Sequence, residues 1–373
     1  MLSNLLAMTL PTTNGNKSRS STFDGKTILI TGGTGSLGKT LVRRLLGGSA
    51  GHPDKIIVLS RDEAKQHEMR MEYQNRPSAT DEIIYRDFQR ILEFRIGDVR
   101  DFHSVSQALR DVDIVFNAAA LKQVPTCEYF PFEAVRTNVE GPENIVRAIR
   151  EHSLPVETVV GVSTDKACKP VNAMGMTKAL QERVFVHANI RCPKTRFVCV
   201  RYGNVLASRG SVIPLFHDQI RSGGPVTITT QDMTRFLLSL NDAVDVIFAA
   251  TQDGAPGETY IPRAPSARVT HIAEALIGDR PIESRIVGIR PGEKVHEVLV
   301  SKEEALRTVE RGSYYAIQPM LPELRGDNGA VSNLTKEYSS ADDIMSFEET
   351  ALLLRSQRLM IEDASIDFSE VLR

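Results

Sequence analysis

The apolar run Val159 to Ser163 passes directly into Thr164-Asp165-Lys166, which sets a hydroxyl, a carboxyl and an amine side by side. Soon after, Met174-x-x-x-Lys178 opens a helical stretch, and the spacing of four puts residues 174 and 178 on one helical face. These are groups that hold and exchange protons. Far upstream, Thr31-Gly32-Gly33-Thr34-Gly35-Ser36-Leu37-Gly38 follows a strong strand pattern and begins a helix, giving the spacing G-x-x-G-x-x-G. Glycines there permit a tight turn and let backbone N–H groups approach a pyrophosphate, whose charge the helix N-terminus favours. A proton-handling cluster and a dinucleotide site on one chain point to redox chemistry.

The second strand pattern ends in Ser60-Arg61-Asp62, about where NAD enzymes place an acidic residue against the ribose 2′-hydroxyl. Arg61 and Ser60 instead offer donors to a 2′-phosphate, which favours NADP. Asp62, one position later, argues the other way. Asp98 in Gly97-Asp98-Val99 is placed to meet the adenine amino group, and the small residues Ala118, Ala119 and Ala120 after Asn117 let a cofactor lie close to the sheet.

These positions need a scaffold. From Lys26 onward, short β-rich apolar runs alternate with amphipathic stretches: KTILITG, LGKTLVRRLL, KIIVLS, then a polar helix around Glu63 to Tyr73. Further strands are expected at Glu93–Ile96, Ile114–Asn117, Val159–Ser163 and Arg196–Tyr202. Such alternation implies βαβ units and an α/β fold of Rossmann type, a doubly wound parallel sheet with a smaller C-terminal substrate-binding domain. We expect a flexible tail over 1–22 and a cofactor domain over 23–203, with 239–263 returning to it. A substrate domain over 204–238 and 264–345 and a helical tail over 346–373 complete the division.

Composition narrows the function. Charged residues are 25% of the chain and nearly cancel, at a net charge of -2, so no global field suits nucleic acid or an anionic membrane. Cys127, Cys168, Cys192 and Cys199 form no C-x-x-C pair or zinc-like cluster, so neither a metal nor a disulfide framework is expected, and a reducing cytoplasm fits best. No apolar run reaches the roughly 18 to 20 residues of a membrane span.

The catalytic layout resembles the extended short-chain dehydrogenase/reductase superfamily, where a Ser/Thr after a strand cooperates with a Tyr-x-x-x-Lys helix. Within it, S-T-D-K at Ser163 to Lys166 and A-A-L-K-Q-V-P at Ala119 to Pro125 resemble the UDP-N-acetylglucosamine 4,6-dehydratases that invert C5. Arg201 to Pro214 (R-Y-G-N-V-L-A-S-R-G-S-V-I-P), M-T-R-F at Met233 to Phe236 and R-P-G-E-K at Arg290 to Lys294 extend the match from about Phe23 to Ser340. Pro170 to Lys178, P-V-N-A-M-G-M-T-K, is close to the capsule-precursor branch, which carries methionine at the tyrosine position.

The resemblance implies an internal redox cycle: hydride leaves C4 for NADP⁺, water is lost across C5 and C6, and hydride returns to C6. Asp165 would then be the acid on the departing 6-hydroxyl and Lys166 the base at C5, which needs a depressed lysine pKa from burial or from a cation such as Lys178. Lys178 would bind the nicotinamide ribose and Thr164 the sugar 4-oxygen. Asn138 and Lys122 would line the cofactor, Lys122 also facing the sugar. Met174 cannot exchange a proton at neutral pH. Asp165, Thr164 relaying to Lys178, or a water must take the 4-hydroxyl proton, in that order of preference.

For the UDP-sugar, the resemblance implies contacts from Asn204, Ser211, Val212, Pro214 and Thr229, diphosphate binding by Arg235 and Arg290, and ribose binding by Glu293. It also implies a homo-oligomer, a hexamer, and a role in surface-polysaccharide precursor synthesis. A configuration-retaining dehydratase, a catalytically inactive NADP-binding regulatory protein and a 4-epimerase are the competing readings.

Overall fold

The computed structural model describes residues 21–74, 88–206, 211–325, 332 and 334–363. The N-terminal tail up to residue 20 and residues 207–210 of the Arg201 to Pro214 motif lie outside the described residues.

A nine-stranded sheet of order β14-β15-β10-β6-β5-β4-β1-β2-β3 organises the chain. Its central strands are β1 (Thr27–Thr31), β2 (Lys55–Ser60), β3 (Leu92–Ile96), β4 (Ile114–Asn117), β5 (Thr158–Thr164), β6 (Arg196–Tyr202) and β10 (Thr259–Pro262). All of these pair parallel. Continuous apolar runs suit this arrangement, because helices cover both faces of a parallel sheet. Ile28, Ile30, Val58 and Phe116 are buried in one apolar core, and Leu29, Ile57, Leu59 and Val115 in another. The strand order reverses between β1 and β4, so the loops after β1, β4 and β5 meet at one carboxyl-terminal edge, where doubly wound sheets bind ligands.

A smaller unit has its own core, in which Ile213, Phe216, Val226, Leu237 and Ile272 are buried. It holds α8 (Val212–Arg221), β8 (Val226–Ile228), β9 (Thr234–Leu238) and α10 (Val269–Ile277), while the helices α1 (Ser36–Leu46) and α7 (Ala173–Arg191) belong to the large unit.

Two boundaries differ from the expected ones. The hairpin β14 (Thr308–Arg311) and β15 (Tyr314–Ile317) continues the large sheet, β15 lying antiparallel to β10, so 308–317 leaves the segment assigned to the substrate domain. Buried Val309, Ala316 and Ile317 explain this, since they complete the core beside β10. The segment expected as a helical tail over 346–373 holds a helix, Phe347–Ser356, whose Ala351 and Leu354 are buried in the smaller unit's core, so this helix belongs to that unit, while residues 364–373 lie outside the described residues. Its start is fixed by a Ser346/Glu349 capping box.

Candidate active site

The turn after β1 is built by close approach. A Cβ on Gly32, at φ +67°, would lie 2.8 Å from the Ala119 backbone, and one on Gly38 would lie 2.4 Å from Gly33 Cα. The first glycine thus lets the β1 and β4 loops meet, and the last lets α1 pack on its own entry turn. Gly35 caps α1 without a side-chain bond, and the first turn carries no acidic residue. The donors of that turn, at Ser36, Leu37 and Gly38, therefore face an end that suits an anion. Thr34 Oγ1 lies 3.0 Å from Ser60 Oγ and ties the turn to β2. This cradle fits a dinucleotide pyrophosphate.

Beside it, the Arg61 side chain is 60% exposed and reaches Asp98 only at 4.0 Å. Asp62 is committed elsewhere, its carboxylate accepting from the Lys65 backbone and side chain. Asp98 is gripped by the Arg100 guanidinium, with Nη2 to Oδ2 at 2.6 Å. Burial opposes its charge, yet the Arg100 hydrogen bonds outweigh burial and hold the Asp98 carboxyl below its ordinary value. Val99 is buried against Gly141, Ala118 and Ala119 are partly buried, and Ala120 and Lys122 are exposed on the loop after β4. Asn138 is wholly enclosed: Leu121 N donates to its Oδ1 at 2.8 Å, and its Nδ2 donates to Leu121 O and to Thr177 Oγ1. It fastens this loop to α7.

At the end of β5, Thr164 begins a short turn, Asp165–Ala167, and donates its hydroxyl to Asp165 Oδ1 at 2.9 Å. Lys166 Nζ lies 3.0 Å from the same oxygen. Asp165 is fully buried, and its Oδ2 has no hydrogen-bond partner among the described residues. The turn is pressed against the start of α7, where a Cβ on Gly175 would lie 2.2 Å from Lys166 O. Asn172 caps α7 through the Gly175 N–H at 2.8 Å and donates to Gly292 O at 2.9 Å, binding the R-P-G-E-K loop to the start of α7.

The expectation of a depressed Lys166 is reversed. Burial disfavours the Lys166 ammonium, but Asp165 and Glu297 overcome burial and the nearby Arg235, so its pKa is raised and not depressed. The depressed lysine is Lys178, which burial lowers to about 8. Its Nζ donates to Val162 O at 2.5 Å and to Gln181 Oε1 at 2.6 Å. Met174 is 4% exposed and packs in a small apolar cluster with Cys127 and Ala134, so its thioether fills space.

Glu297 is the residue that the sequence does not single out. It is 2% exposed, its Oε1 lies 3.3 Å from Lys166 Nζ, and its Oε2 is buried without a partner among the described residues. The only hint is an acidic residue directly before the apolar Val298-Leu299-Val300 strand.

On the smaller unit, Asn204 Oδ1 and Ser211 Oγ are buried without partners among the described residues. Ser211 stands at the start of α8 without a capping bond, with Val212 and Pro214 partly buried in the first turn. Thr229 Oγ1 donates to Glu293 Oε2 at 3.5 Å. Buried Arg235 is anchored through the Thr234 and Val295 carbonyls, and Arg290 is exposed on the loop that Asn172 holds. The structure thus gathers the 164–166 turn, Arg235 and the 290–297 loop around one region, with the glycine cradle on the same sheet edge. Among the described residues no group of His, Cys, Asp and Glu could hold a metal, and no helix is long and apolar enough to cross a membrane.

Residues 28–319 match the family model described as polysaccharide biosynthesis protein. A Rickettsia bellii (strain OSU 85-389) protein named UDP-glucose 4-epimerase is 42% identical over 347 residues, covering 91% of this chain and 94% of the relative. The solved structure of Pen from Bacillus thuringiensis is 33% identical, with TM-score 0.80 over 91% of this chain and 99% of that one. DesIV from Streptomyces venezuelae, a dTDP-glucose 4,6-dehydratase solved with NAD and TYD bound, shares the fold at TM-score 0.61 and 23% identity, over 72% of this chain and 86% of that one.

Proposed function

The chain belongs to the polysaccharide biosynthesis protein family, and from that premise we propose that it is an NADP-dependent UDP-N-acetylglucosamine 4,6-dehydratase that inverts C5. One observation carries the reading: Thr164, Asp165 and Lys166 are joined by contacts of 2.9 and 3.0 Å through one buried carboxylate oxygen. Elimination of water needs an acid for the leaving 6-hydroxyl and a base at C5, whereas epimerisation at C4 needs only a group that shuttles the 4-hydroxyl proton.

The cofactor fits the glycine cradle of Gly32, Thr34, Gly35, Ser36, Leu37 and Gly38, with Asp98 and Val99 toward adenine and Lys178 toward the nicotinamide ribose. Exposed Arg61, beside an Asp62 already bound to Lys65, supports NADP over NAD. When bound, the nicotinamide supplies the acceptor and later the donor of a hydride.

The chain's own residues handle the protons. The 4-hydroxyl proton passes to Thr164 as Thr164 passes its own to Asp165. Asp165, now a carboxylic acid, protonates the departing 6-hydroxyl, and Lys166 in its amine form takes the C5 proton. The proton released at C4 thus becomes the one that water carries away, and a tyrosine at position 174 has no task left. Asn204 and Ser211 bring unpaired polar atoms to the UDP moiety, Arg235 and Arg290 bring charge for its diphosphate, and Thr229 and Glu293 meet its ribose.

The names of the Rickettsia relatives favour a second reading, a nucleotide-sugar 4-epimerase. Incubation with UDP-N-acetylglucosamine and NADP⁺, followed by mass spectrometry, separates the two. A product lighter by one water supports the dehydratase, a product of unchanged mass the epimerase. No reaction with any nucleotide sugar supports a binding protein. Proton NMR of the first product then gives the C5 configuration, and a D-configured ring sinks the inverting assignment.

A further inference from the structure

Lys166 carries its proton at rest, and as base at C5 it must first lose it. Asp165 is not available, because it receives the proton from the 4-hydroxyl. The other group within reach is Glu297, whose Oε1 lies 3.3 Å from Lys166 Nζ. Glu297 is 2% exposed, and its Oε2 is buried without a partner among the described residues, as is Asp165 Oδ2. Two buried carboxylates therefore share one ammonium, and each keeps an oxygen free for a further donor. Buried carboxylates are disfavoured unless paired, so an unpaired oxygen at each calls for a partner that arrives. The charged groups that face Lys166 are Asp165, Glu297 and Arg235.

We propose that Glu297 is the third proton-transferring group of this site: it takes the Lys166 proton before elimination and returns it to C5 afterwards. The inference rests on the dehydratase reading and deepens it. First an N–H bond of Lys166 breaks and an O–H bond forms on Glu297, leaving an amine and a carboxylic acid. The amine then takes the C5 hydrogen as a proton, and the C5–H electron pair forms the C5–C6 double bond. The C6–O bond breaks with its pair, and the departing hydroxyl takes the Asp165 proton and leaves as water. Once C6 has received the hydride, the resulting enolate takes the Glu297 proton at C5. Lys166 is again an ammonium, and Asp165 and Glu297 are again carboxylates, so the starting state is restored. Because the group that removes the C5 proton differs from the group that replaces it, the proton can return on the opposite face, and inversion follows.

The test compares wild type, Glu297→Gln and Glu297→Asp with UDP-N-acetylglucosamine in heavy water, after NADP binding has shown that each variant is folded. Wild type should give a C5-deuterated product of inverted configuration. Glu297→Gln should lower kcat by about 100-fold and accumulate the 4-keto sugar that has not lost water, together with reduced cofactor, and Glu297→Asp should recover part of the rate. Independently of turnover, NMR titration of the lysine side-chain carbons in isotope-labelled protein, assigned through Lys166→Arg, should show Lys166 losing its proton about one pH unit lower in Glu297→Gln. A Glu297→Gln variant within about threefold of wild type or an unchanged Lys166 titration overturns the role of Glu297 alone, whereas a wild-type product of retained configuration overturns it together with the inverting assignment. A wild type that removes no water sinks the dehydratase reading and this inference together.

Discussion

The Thr164 hydroxyl donates to Asp165 Oδ1 at 2.9 Å, whereas Lys178 Nζ is bonded to Val162 O and Gln181 Oε1. A proton arriving at Thr164 therefore meets a carboxylate. In the proposed mechanism, variants of the neighbours Asp165 and Lys166 should then fail at different stages. Asp165→Asn removes the acceptor, so it should block oxidation at C4: no reduced nicotinamide appears on mixing with substrate, and kcat falls by at least about 100-fold. Lys166→Ala leaves that acceptor in place and removes the C5 base, so reduced nicotinamide should build up while no water is lost. Stopped-flow absorbance of the reduced cofactor, paired with product mass, reads both. Equal burst amplitudes in the two variants would contradict the division of roles.

Met174 lies buried against Cys127 and Ala134, in a pocket that Leu121, Val124 and Ala173 close. Met174→Tyr adds a ring and a hydroxyl to that space, and overpacking of this kind costs about 1–3 kcal/mol. If Asp165 takes the 4-hydroxyl proton, the new phenol should raise kcat by no more than about twofold while the thermal midpoint falls. A large gain in rate would mean that the site works below capacity for want of a tyrosine.

The sheet was legible because its signals are local. Apolar runs bounded by turns placed β4 at Ile114–Asn117 and β6 at Arg196–Tyr202, and the glycine spacing needs only the strand and helix that flank it. The charge of Lys166 was not legible. Glu297 reaches it from just before a strand far along the chain, while Lys178, close in sequence, turns instead toward Val162 and Gln181. Likewise the hairpin that turns at Gly312, at φ +58°, joins the large sheet at an edge that depends on the core it completes. Pairing across distant segments is what single-sequence patterns lack.

Lys178 gives a pH signature of known sign. Burial lowers its pKa to about 8 from an ordinary value of 10.5. The unfolded chain thus holds a proton over an interval where the folded protein does not, and stability rises with pH through that interval. The burial penalty, about 3 kcal/mol, acts in full below about pH 8 and vanishes above the ordinary lysine value. Urea unfolding of Lys178→Met across this range should lack the rise that wild type shows. Parallel profiles would place the Lys178 proton at an ordinary affinity in the folded state.

Behind the 164–166 turn, Arg201 is buried between two carboxylates, with Nη2 2.7 Å from Glu182 Oε2 and Nη1 2.8 Å from Glu304 Oε2 and from the Leu299 carbonyl. Glu182 also accepts from Ser163, the residue before Thr164, so this clasp holds the end of β5 to the strand that follows Glu297. Arg201→Met leaves two buried charges without their partner and should cost about 3–5 kcal/mol, read as a lowered urea midpoint at neutral pH. The acid side has the opposite origin. Burial pushes Glu304 up, but Arg201 outweighs burial and lowers it to about 2 from 4.5. Its stabilising share is present above the ordinary value and is lost as pH falls through that interval, so wild type should weaken there while Glu304→Gln, less stable at neutral pH, should not show that loss. Because the clasp reaches β5 through Ser163, the Arg201→Met loss should extend to kcat even where the protein remains folded. A variant that loses stability and keeps full kcat would confine Arg201 to the scaffold.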